Sequence, residues 1–288
     1  MKQLAIVSGK GGTGKTSLTA AIAALAQPTV TADCDVDAAD LHLILRPETK
    51  AAHELEGGFK ACLDKKRCLL CGQCAALCRY GAISEDIRVD AFECEGCGVC
   101  ADHCPVQAIT LTRQKAGDWF ESETRFGPMV HARLGIAQEN SGKLVARIRN
   151  RAREIAAERN LSLLLIDGPP GIGCPVISAV TGVDLVLAIT EPTPSGIHDL
   201  RRVLELTRHF RIPVGVCVNK ADLNPEQTKA VATLAPTEGA AYLGAIPFDN
   251  IVTRAMIAGK SLPEFGDHPV TAAIVQIWQR VERMLHDR

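Results

Sequence analysis

The sequence predicts an α/β protein with a doubly wound, mostly parallel sheet and one inserted small α+β domain. Apolar, strand-like runs alternate with helical segments along most of the chain, and this alternation is typical of a parallel sheet. A block of closely spaced cysteines interrupts the alternation once. The strands are expected near residues 3–8, 29–33, 162–167, 184–190, 213–219 and 241–246, and the main helices at 143–158, 196–209, 225–234 and 269–286.

The first strand runs into a glycine-rich loop with the pattern of a phosphate-binding loop, Gly9-Lys10-Gly11-Gly12-Thr13-Gly14-Lys15-Thr16. Glycines let successive backbone N–H groups face the phosphates, Lys15 can reach the β- and γ-phosphates, and the Thr16 hydroxyl can bind Mg²⁺. A helix predicted over 17–26 follows, and its N-terminus favours an anion. The residues expected to bind nucleotide here are Gly9, Gly11, Gly12, Thr13, Gly14, Lys15, Thr16 and Ser17.

Aspartates follow two of the predicted strands. Asp167 ends the strand near 162–167, where a carboxylate can hold Mg²⁺ through water, and Gly168-Pro169-Pro170-Gly171 comes next as a loop that can move. The segment Asp33-Cys34-Asp35-Val36-Asp37 ends the second strand. Aspartates at a strand end can also cap a helix or form a turn, so this structural alternative stays open.

Taken together, these motifs resemble the MinD/ParA/Mrp family of P-loop ATPases. The resemblance implies that Lys10 reaches across a dimer interface to the partner's nucleotide. It also implies that Asp35 orients or activates the attacking water, with Asp37 as the next candidate. The catalytic residues are therefore expected to be Lys10, Lys15 and Asp35, in an ATP-dependent homodimer or a heterodimer with a related ATPase. A solvated loop lysine is the alternative for Lys10.

A base-reading loop is expected where the strand near 213–219 ends, in Asn219-Lys220-Ala221-Asp222. The same tetrapeptide selects guanine in GTPases. The family resemblance implies instead an asparagine that binds adenine. We therefore expect ATP with Mg²⁺, and we place Asn219 and Asp222 at the base.

Eight cysteines form two blocks of identical spacing that are offset by 26 residues. The offset continues at Gly72 and Gly98, Ala82 and Ala108, and Ile83 and Ile109, as an internal duplication with a pseudo-twofold axis would give. Such spacing suits two cubane clusters, in which the fourth cysteine of each run binds the other cluster. The expected ligands are Cys68, Cys71, Cys74 and Cys104 for one 4Fe–4S cluster, and Cys94, Cys97, Cys100 and Cys78 for the second.

This segment resembles bacterial-type ferredoxins, with the departure that Arg79 follows Cys78 where the second block has Pro105. Two zinc sites or a disulfide scaffold are the alternatives, but zinc usually takes two separated pairs of ligands. The predicted domains are 1–57 and 116–288 for the ATPase and 58–115 for the inserted ferredoxin-like unit. Glycines are expected to mark the limits of that unit, at Gly57, Gly58 and Gly117. The stretch 119–136 is expected to be a β-rich or looped return into the core.

Four cysteines lie outside the two blocks. Cys34 and Cys217 are expected to be small core residues, and Cys62 a plain thiol. Cys174 lies seven residues after Asp167, a spacing similar to that of a cluster cysteine in the nitrogenase iron protein. A transient metal or cluster ligand, or a sensor of the nucleotide state, is one interpretation of Cys174; a buried thiol before a proline-started helix is the other.

Composition bounds the remaining possibilities. A hydrophobic content of 47% and a formal net charge of −1 describe a globular protein and argue against a dedicated nucleic-acid surface. We see no signal peptide and no apolar run long enough for a membrane span, so we expect a cytoplasmic protein without stable membrane insertion. The last helix carries charged residues as well, and it is expected to pack one apolar face against the sheet: Ile274, Ile277, Trp278, Val281 and Leu285.

The sequence therefore predicts a nucleotide-gated iron–sulfur ATPase that couples ATP binding and hydrolysis to electron transfer to a partner protein. The alternative is an ATP-dependent scaffold that assembles iron–sulfur or other metal clusters and passes them to an acceptor protein. A spatial organiser like MinD ranks lower, because that function leaves the eight cysteines without a role.

Overall fold

The computed structural model describes residues 1–135 and 141–287. Within these residues the chain forms a nine-stranded sheet and eleven α-helices. The strands are β1 (Lys2–Ser8), β2 (Val30–Asp33), β3 (Glu48–Leu63), β4 (Ile109–Thr124), β5 (Gly127–Leu134), β6 (Leu163–Pro170), β7 (Leu185–Thr190), β8 (Val214–Asn219) and β9 (Ala241–Ile246). The helices are α1 (Lys15–Leu25), α2 (Leu41–Leu45), α3 (Gln73–Leu77), α4 (Val99–Asp102), α5 (Gly142–Glu158), α6 (Cys174–Val180), α7 (Pro194–His209), α8 (Pro225–Thr237), α9 (Ile251–Ala258), α10 (Leu262–Phe265) and α11 (Pro269–His286).

The strand order is β3-β4-β5-β2-β6-β1-β7-β8-β9. β1 lies between β6 and β7 and runs parallel to both, and β2 pairs in parallel with β5 and β6. The pairs β7–β8 and β8–β9 are parallel as well. The predicted α/β class with a mostly parallel sheet is therefore confirmed. Because the carboxyl ends of these strands meet at one edge, the loops that follow them can form a nucleotide site there.

The core surrounds the central strand. Residues Leu4 to Val7 of β1 are fully buried, as expected for a continuous apolar run in the middle of a parallel sheet. Helix α11 packs on β9, α1 and β7, with Ile277 and Val281 almost fully buried. The predicted packing of the last helix is confirmed, while Arg288 at its end lies outside the described residues. Among residues 1–135 and 141–287, every helix is too short or too polar to cross a membrane.

The chain divides into two compact units. The larger unit comprises Met1–Ala52, Trp119–Arg133 and the described residues from 141 onward. The smaller comprises His53–Asp118, together with Leu134 and Gly135. Strands β3 and β4 each begin in one unit and end in the other. The functional limits at 57/58 and 115/116 stay a prediction.

The glycines expected at these limits lie within strands. Gly57 and Gly58 lie inside β3, and Gly117 lies inside β4, near the points where the chain passes from one unit to the other. A Cβ on Gly57 would lie 3.1 Å from the Ala116 Cβ, so this glycine permits a close approach of neighbouring backbones rather than a turn. The predicted return stretch, 119–136, contains the end of β4 and the whole of β5. Ile136 lies outside the described residues.

Candidate functional site

The glycine-rich loop joins β1 to α1 and borders an open cavity of about 400 Å³. Gly12 and Gly14 have φ angles of 78° and 88°, in the left-handed region that favours glycine. Gly9 lies against α7 instead, where an added Cβ would come within 2.3 Å of the Asp199 Cβ. The residues of the predicted nucleotide site that line the cavity are Gly11, Gly12, Thr13, Gly14, Lys15, Thr16, Ser17, Asp35 and Asn219.

The end of β2, the middle of β6 and the first turn of α1 meet in a buried cluster of charges. Asp167 lies inside β6, which continues to Pro170, so the prediction that the strand ends at Asp167 is wrong. The Lys15 Nζ lies 2.9 Å from Asp35 Oδ2 and 3.1 Å from Asp167 Oδ1. The hydroxyls of Thr16 and Thr19 donate to the two Asp167 oxygens, at 3.1 and 2.9 Å. Burial alone would lower the pKa of the Lys15 ammonium, but Asp167 and Asp35 outweigh it and hold that pKa above its usual value. In the absence of nucleotide, Asp35 and Asp167 therefore form the ion pairs with Lys15 that phosphate groups would otherwise form.

Two buried carboxylates each have one oxygen without a hydrogen-bond partner. Within the described part of the chain, Asp33 Oδ2 and Asp35 Oδ1 have no hydrogen-bond partner, and neither does the Thr13 hydroxyl. Burial, and then the neighbouring Asp167, raises the pKa of Asp33 well above its usual range. Burial also raises the pKa of Asp35, although Lys15 opposes the shift. Unpartnered oxygen atoms in a buried acidic site indicate room for a cation or for ordered water.

The donor set suits magnesium with a nucleotide. Mg²⁺ prefers oxygen ligands and is usually held by one or two carboxylates, water and substrate phosphates rather than by a complete protein cage. Asp167 and the Thr16 hydroxyl supply such oxygens beside the loop. In the residues that the structure describes, no three His, Cys, Asp or Glu side chains are arranged to hold a metal ion by themselves. That finding agrees with a metal that arrives with the phosphates.

Lys10 is held within its own chain. Its Nζ lies 3.0 Å from Glu191 Oε2, and Glu191 also accepts a hydrogen bond from the Lys220 Nζ. Burial alone would raise the pKa of Glu191, but the hydrogen bonds from Lys220 and Lys10 hold it below its usual value. The interpretation of Lys10 as a merely solvated lysine is therefore wrong. Its predicted contact with a partner's nucleotide stays a prediction.

The segment predicted to read the base forms hydrogen bonds with the glycine-rich loop. Asn219 Nδ2 donates to the Thr13 carbonyl oxygen at 2.8 Å, and Lys220 Nζ donates to the carbonyl oxygen of Gly12 at 3.2 Å. Asp222 Oδ1 accepts from the Phe248 backbone N–H at 2.6 Å. Asn219 lines the cavity, so it remains available to a base on its rim.

Asp37 is more exposed than the other two aspartates of its segment. It belongs to a 3-10 turn, Val36–Ala38, and its side chain is exposed, whereas Asp33 and Asp35 are buried. The cavity is lined by Asp35 and by Asp40. Burial, then Asp167 and last the charge of Asp37 raise the pKa of Asp35, and the predicted role of Asp37 stays a prediction.

Sequence reasoning missed the far wall of the cavity, and it missed Thr19, Asp33 and Glu191. The wall residues come from the loop after β9 and from α9, where no short motif marks them. The position just after the carboxyl end of a parallel strand is the signal that could have found them. They are Pro247, Phe248, Asp249, Val252, Thr253 and Met256.

The smaller unit contains two small cavities, each lined by four of the eight cysteines. One is lined by Cys68, Cys71, Cys74 and Cys104, and the other by Cys94, Cys97, Cys100 and Cys78. Each set contains three cysteines from one block and the last cysteine of the other block. This grouping is the same as the one predicted from the crossing of the fourth ligand.

The backbone of the smaller unit repeats with the offset of the sequence. Gly72 and Gly98 both precede a short helix, with φ angles of 76° and 87°. The Gly81 N–H donates to the Cys78 carbonyl at 3.1 Å, and the Gln107 N–H donates to the Cys104 carbonyl at 3.0 Å. The turn after Cys78 is therefore the same as the turn after Cys104, although only the latter contains a proline.

The thiols are placed to act as ligands. Backbone N–H groups donate to the sulfurs of Cys68, Cys94 and Cys104, at 3.4, 3.4 and 3.2 Å. The N–H groups of Ala108 and Val106 lower the pKa of Cys104, which favours the thiolate form, whereas burial raises the pKa of Cys74 and Cys100. In the described ranges no disulfide joins any of the cysteines. Each set of four cysteines lines one of the two cavities.

The remaining cysteines differ in exposure. Cys34 and Cys217 are fully buried, and burial raises the pKa of the Cys217 thiol to about 12, so the prediction of core residues is confirmed. Cys62 is exposed. Cys174 is the first residue of α6 and is exposed, so the interpretation of a buried thiol at this position is wrong.

Comparison with known proteins places this geometry in a family. A family model described as the CobQ/CobB/MinD/ParA nucleotide binding domain matches residues 4–262. An uncharacterized protein of Methanocaldococcus jannaschii is 32% identical over 287 residues, which cover 98% of this chain and 97% of that protein. MinD of Pyrococcus horikoshii, solved with Mg-ADP, superposes with a TM-score of 0.61 at 17% identity, over 99% and 98% of the two chains. At that identity the likeness shows the fold.

Two further similarities cover parts of the chain. A pyruvate synthase subunit, PorD of Methanothermobacter marburgensis, is 44% identical over 57 residues, 20% of this chain and 70% of that subunit. A Nubp1 homolog of Drosophila grimshawi, named as a cytosolic Fe-S cluster assembly factor, is 32% identical over 124 residues, 36% of this chain and 40% of that protein.

Proposed function

Because the chain belongs to the CobQ/CobB/MinD/ParA family of nucleotide-binding proteins, we propose that it is an ATPase that gates electron transfer to a partner protein. The electrons would pass through two 4Fe–4S clusters bound in the smaller unit. The observation that carries the proposal is the pair of cavities, each lined by three cysteines of one block and the fourth cysteine of the other. The likeness to the Nubp1 homolog, named as a cytosolic Fe-S cluster assembly factor, supports a link to iron–sulfur chemistry.

The residues of the larger unit supply what phosphoryl transfer needs, which is positioning and charge. Lys15 exchanges the carboxylates of Asp35 and Asp167 for the β- and γ-phosphates of ATP. Thr16 and Asp167 would hold Mg²⁺, which would neutralise charge on the phosphates. Asp35, released from Lys15, accepts a hydrogen bond from the attacking water and orients it toward the γ-phosphate.

The clusters would supply one-electron redox chemistry when bound. The protein's own contribution is hydrogen bonding to the sulfur atoms. Backbone N–H groups at Cys68, Cys94 and Cys104 stabilise negative charge on sulfur, and hydrogen bonds of this kind tune the reduction potential of a cluster. Cys94 is buried, whereas Cys71 and Cys97 are exposed.

We infer that two copies close over two ATP molecules, with Lys10 of each reaching the nucleotide of the other. A heterodimer with a related ATPase would use the same contact. Hydrolysis removes the γ-phosphate and reopens the pair, as in other switches that depend on that phosphate. Asn219 and the wall from Pro247 to Met256 would enclose the base, for which the family favours adenine.

A second candidate function is supported by the Nubp1 likeness. In that case the clusters are cargo, and ATP turnover drives their transfer to an acceptor protein rather than the transfer of electrons. A spatial organiser like MinD is disfavoured, because the cysteine-lined cavities would then have no use.

The first experiment tests the clusters. Protein purified without oxygen should contain eight irons per chain, with a broad absorption band that bleaches on reduction. Cys78→Ala should damage the cluster of Cys94, Cys97 and Cys100, because Cys78 lines that cavity. Cys62→Ala is the matched control, because this thiol is exposed and lies outside both cavities. Zinc in place of iron, or loss of the cluster of Cys68, Cys71 and Cys74, would contradict the proposal.

The second experiment separates the two candidate functions. If ATP changes the redox equilibrium of a cluster, reduction must change the affinity for ATP by the same factor, typically about 5-fold to 150-fold. We expect different ATP affinities for dithionite-reduced and oxidised protein, measured by calorimetry, with the difference lost in Asp35→Ala. Equal affinities in both states, together with ATP-dependent delivery of iron to an apo-ferredoxin, would favour the cluster-transfer scaffold.

A further inference from the structure

The two halves of the smaller unit fold alike, so their surfaces can be compared position by position. In each half an aspartate begins the turn before the first cysteine. Asp64 Oδ1 accepts from the Lys66 N–H at 2.9 Å, and Asp90 Oδ1 accepts from the Phe92 N–H at 2.8 Å. We call residues 64–71 the first loop and residues 90–97 the second loop. Each loop leads into one of the two cysteine-lined cavities.

The side chains of the two loops have opposite character. The first loop carries three cations and two leucines, whereas the second carries acidic groups and a phenylalanine. With the exception of Gly96, all of the compared residues are exposed. The equivalent pairs are Lys65 and Ala91, Lys66 and Phe92, Arg67 and Glu93, Leu69 and Glu95, and Leu70 and Gly96.

Leu70 is unusual for its backbone. Its φ is 53°, in the left-handed region, and its equivalent Gly96 has a φ of 63°. A Cβ at Gly96 would lie 2.0 Å from the Phe59 carbonyl oxygen, so glycine is required there. The left-handed conformation is unfavourable for a residue other than glycine. Burial does not compensate at Leu70, because this residue is 71% exposed, and its neighbour Leu69 is 67% exposed. A leucine pair kept exposed at this position is suited to contact with another protein.

The charge of the first loop is largely available to a partner. Among the residues that the structure describes, neither Lys65 nor Lys66 forms an ion pair. Lys65 does act on Asp86, whose pKa is lowered first by Ser84 and then by Arg88, but Asp86 already pairs with Arg88 at 2.6 Å. Lys60 approaches the second loop, but its Nζ donates to the Cys94 carbonyl oxygen rather than to a carboxylate. The side chains of Glu93 and Glu95 are exposed, so the second loop presents negative charge to the solvent.

Arg67 ties the first loop to its own cavity. Its guanidinium donates to the Val106 carbonyl oxygen at 2.9 Å, and Val106 lines the cavity of Cys68, Cys71, Cys74 and Cys104. Leu69 lines the same cavity while most of its surface is exposed. A protein seated on the first loop would therefore lie directly over these four cysteines.

We propose that the first loop is the docking surface for an acidic redox protein with an apolar patch, and that the acidic second loop rejects the same partner. The inference rests on the proposed function and specifies the partner of its electron-transfer step. One electron leaves the reduced centre of one protein and enters the oxidised centre of the other, and no bond is made or broken. Complementary charge speeds encounter, and contact with Leu69 and Leu70 lengthens the life of the complex.

The test uses the full chain with its clusters, and a plant-type [2Fe–2S] ferredoxin as the acidic probe. Lys65→Gln/Lys66→Gln should lower the second-order rate of electron exchange about 10-fold at low ionic strength, and raise the Kd by a similar factor. Lys143→Gln/Lys229→Gln removes the same charge from exposed positions of the larger unit and should change neither value. The difference between the two variants should vanish near 0.5 M salt, where the Debye length is only about 4 Å.

A second variant tests the apolar contact. Leu70→Gly relaxes the left-handed backbone and matches the equivalent position 96, so the unit should fold at least as well as before. We expect the Kd for the ferredoxin probe to rise about 5-fold to 10-fold, mainly through faster dissociation. Basic cytochrome c, used as a second probe, should show no loss on Lys65→Gln/Lys66→Gln.

Three results would overturn the inference: equal effects of both lysine pairs, an unchanged Kd for Leu70→Gly, or a larger effect from Glu93→Gln/Glu95→Gln than from the first-loop variants. Iron is counted in every preparation before binding is measured. Eight irons with no preference for the first loop would refute the docking surface alone. Absence of iron from anaerobically prepared protein would refute the proposed function and this inference with it.

Discussion

We predict that Glu191→Gln strengthens the ATP-dependent association of two copies. Lys10 must break its ion pair with Glu191 if it is to reach the nucleotide of a partner. In the structure its Nζ lies 3.0 Å from Glu191 Oε2, and the two side chains are 33% and 14% exposed. The ion pair with Glu191 would therefore compete with a contact between Lys10 and a partner's nucleotide. Glutamine keeps the shape of the side chain and removes the charge.

The magnitude follows from the burial of the pair. Exposed ion pairs contribute about 0–1 kcal/mol, and this pair is partly buried, so we assign it about 1 kcal/mol. Each dimer releases two lysines, which gives about 2 kcal/mol in total. Since 1.4 kcal/mol is a factor of ten, the dimer Kd in the presence of ATP should fall about 30-fold. Without ATP, both the unchanged protein and Glu191→Gln should be monomeric.

Light scattering over a range of protein concentrations, with Mg²⁺ and ATP, measures this effect. The double variant Lys10→Gln/Glu191→Gln should behave like Lys10→Gln alone, because Glu191 acts through Lys10. Lys220→Gln is the matched control for the second lysine that Glu191 holds. Weaker association of Glu191→Gln, or an equal gain from Glu191→Gln in the Lys10→Gln background, would refute the reasoning.

Three further outcomes follow from groups outside that pair. Burial, and then His42, lowers the pKa of His131 to about 4. The neutral His131 therefore contributes its full stability above pH 6.5, and at most about 3 kcal/mol of it is lost as the pH falls toward 4. His131→Gln should make the free energy of unfolding in urea depend less on pH over this range, whereas a change at the exposed His198, His198→Gln, should not. Gly14→Ala should lower the free energy of unfolding about 1–2 kcal/mol more than Gly12→Ala. Both positions have positive φ, but only at Gly14 would a Cβ meet Asn219, at 2.3 Å, and equal losses in urea would contradict this. Asp33→Asn should stabilise the nucleotide-free protein at pH 8 by about 1–3 kcal/mol and weaken the stabilisation that Mg²⁺ and ATP give together. Thermal unfolding with and without Mg-ATP checks both.

The strands and helices of the larger unit were predictable because each has a strong local signal. The strands are continuous apolar runs between turn residues, and the longer helices begin at prolines or capping residues, as α7 does at Thr193 and Pro194 and α8 does at Asn224 and Pro225. The role of Gly57 was not predictable in the same way, because glycine serves two purposes in strands and turns. Gly57 allows a neighbouring strand to approach, which depends on a pairing that the local sequence does not contain.

The candidate site shows the same division between local and distant information. The phosphate loop and the cysteine blocks are short motifs, and their residues do lie together. Asp33, Asp35 and Asp37 look equivalent in the sequence. Only the path of the chain after β2 buries the first two and exposes the third. Glu191 meets Lys10 because β7 pairs with β1, a contact between segments about 180 residues apart.

The buried cluster at the phosphate loop has more negative charge than its one lysine can balance. Asp33, Asp35 and Asp167 surround Lys15, and burial raises the pKa of the first two, so the nucleotide-free protein stabilises a proton where a cation could sit. Mg²⁺ favours the deprotonated carboxylates, so its arrival with the nucleotide should displace that proton. The affinity for Mg²⁺ and nucleotide together should then increase as the pH rises through the pKa of Asp33.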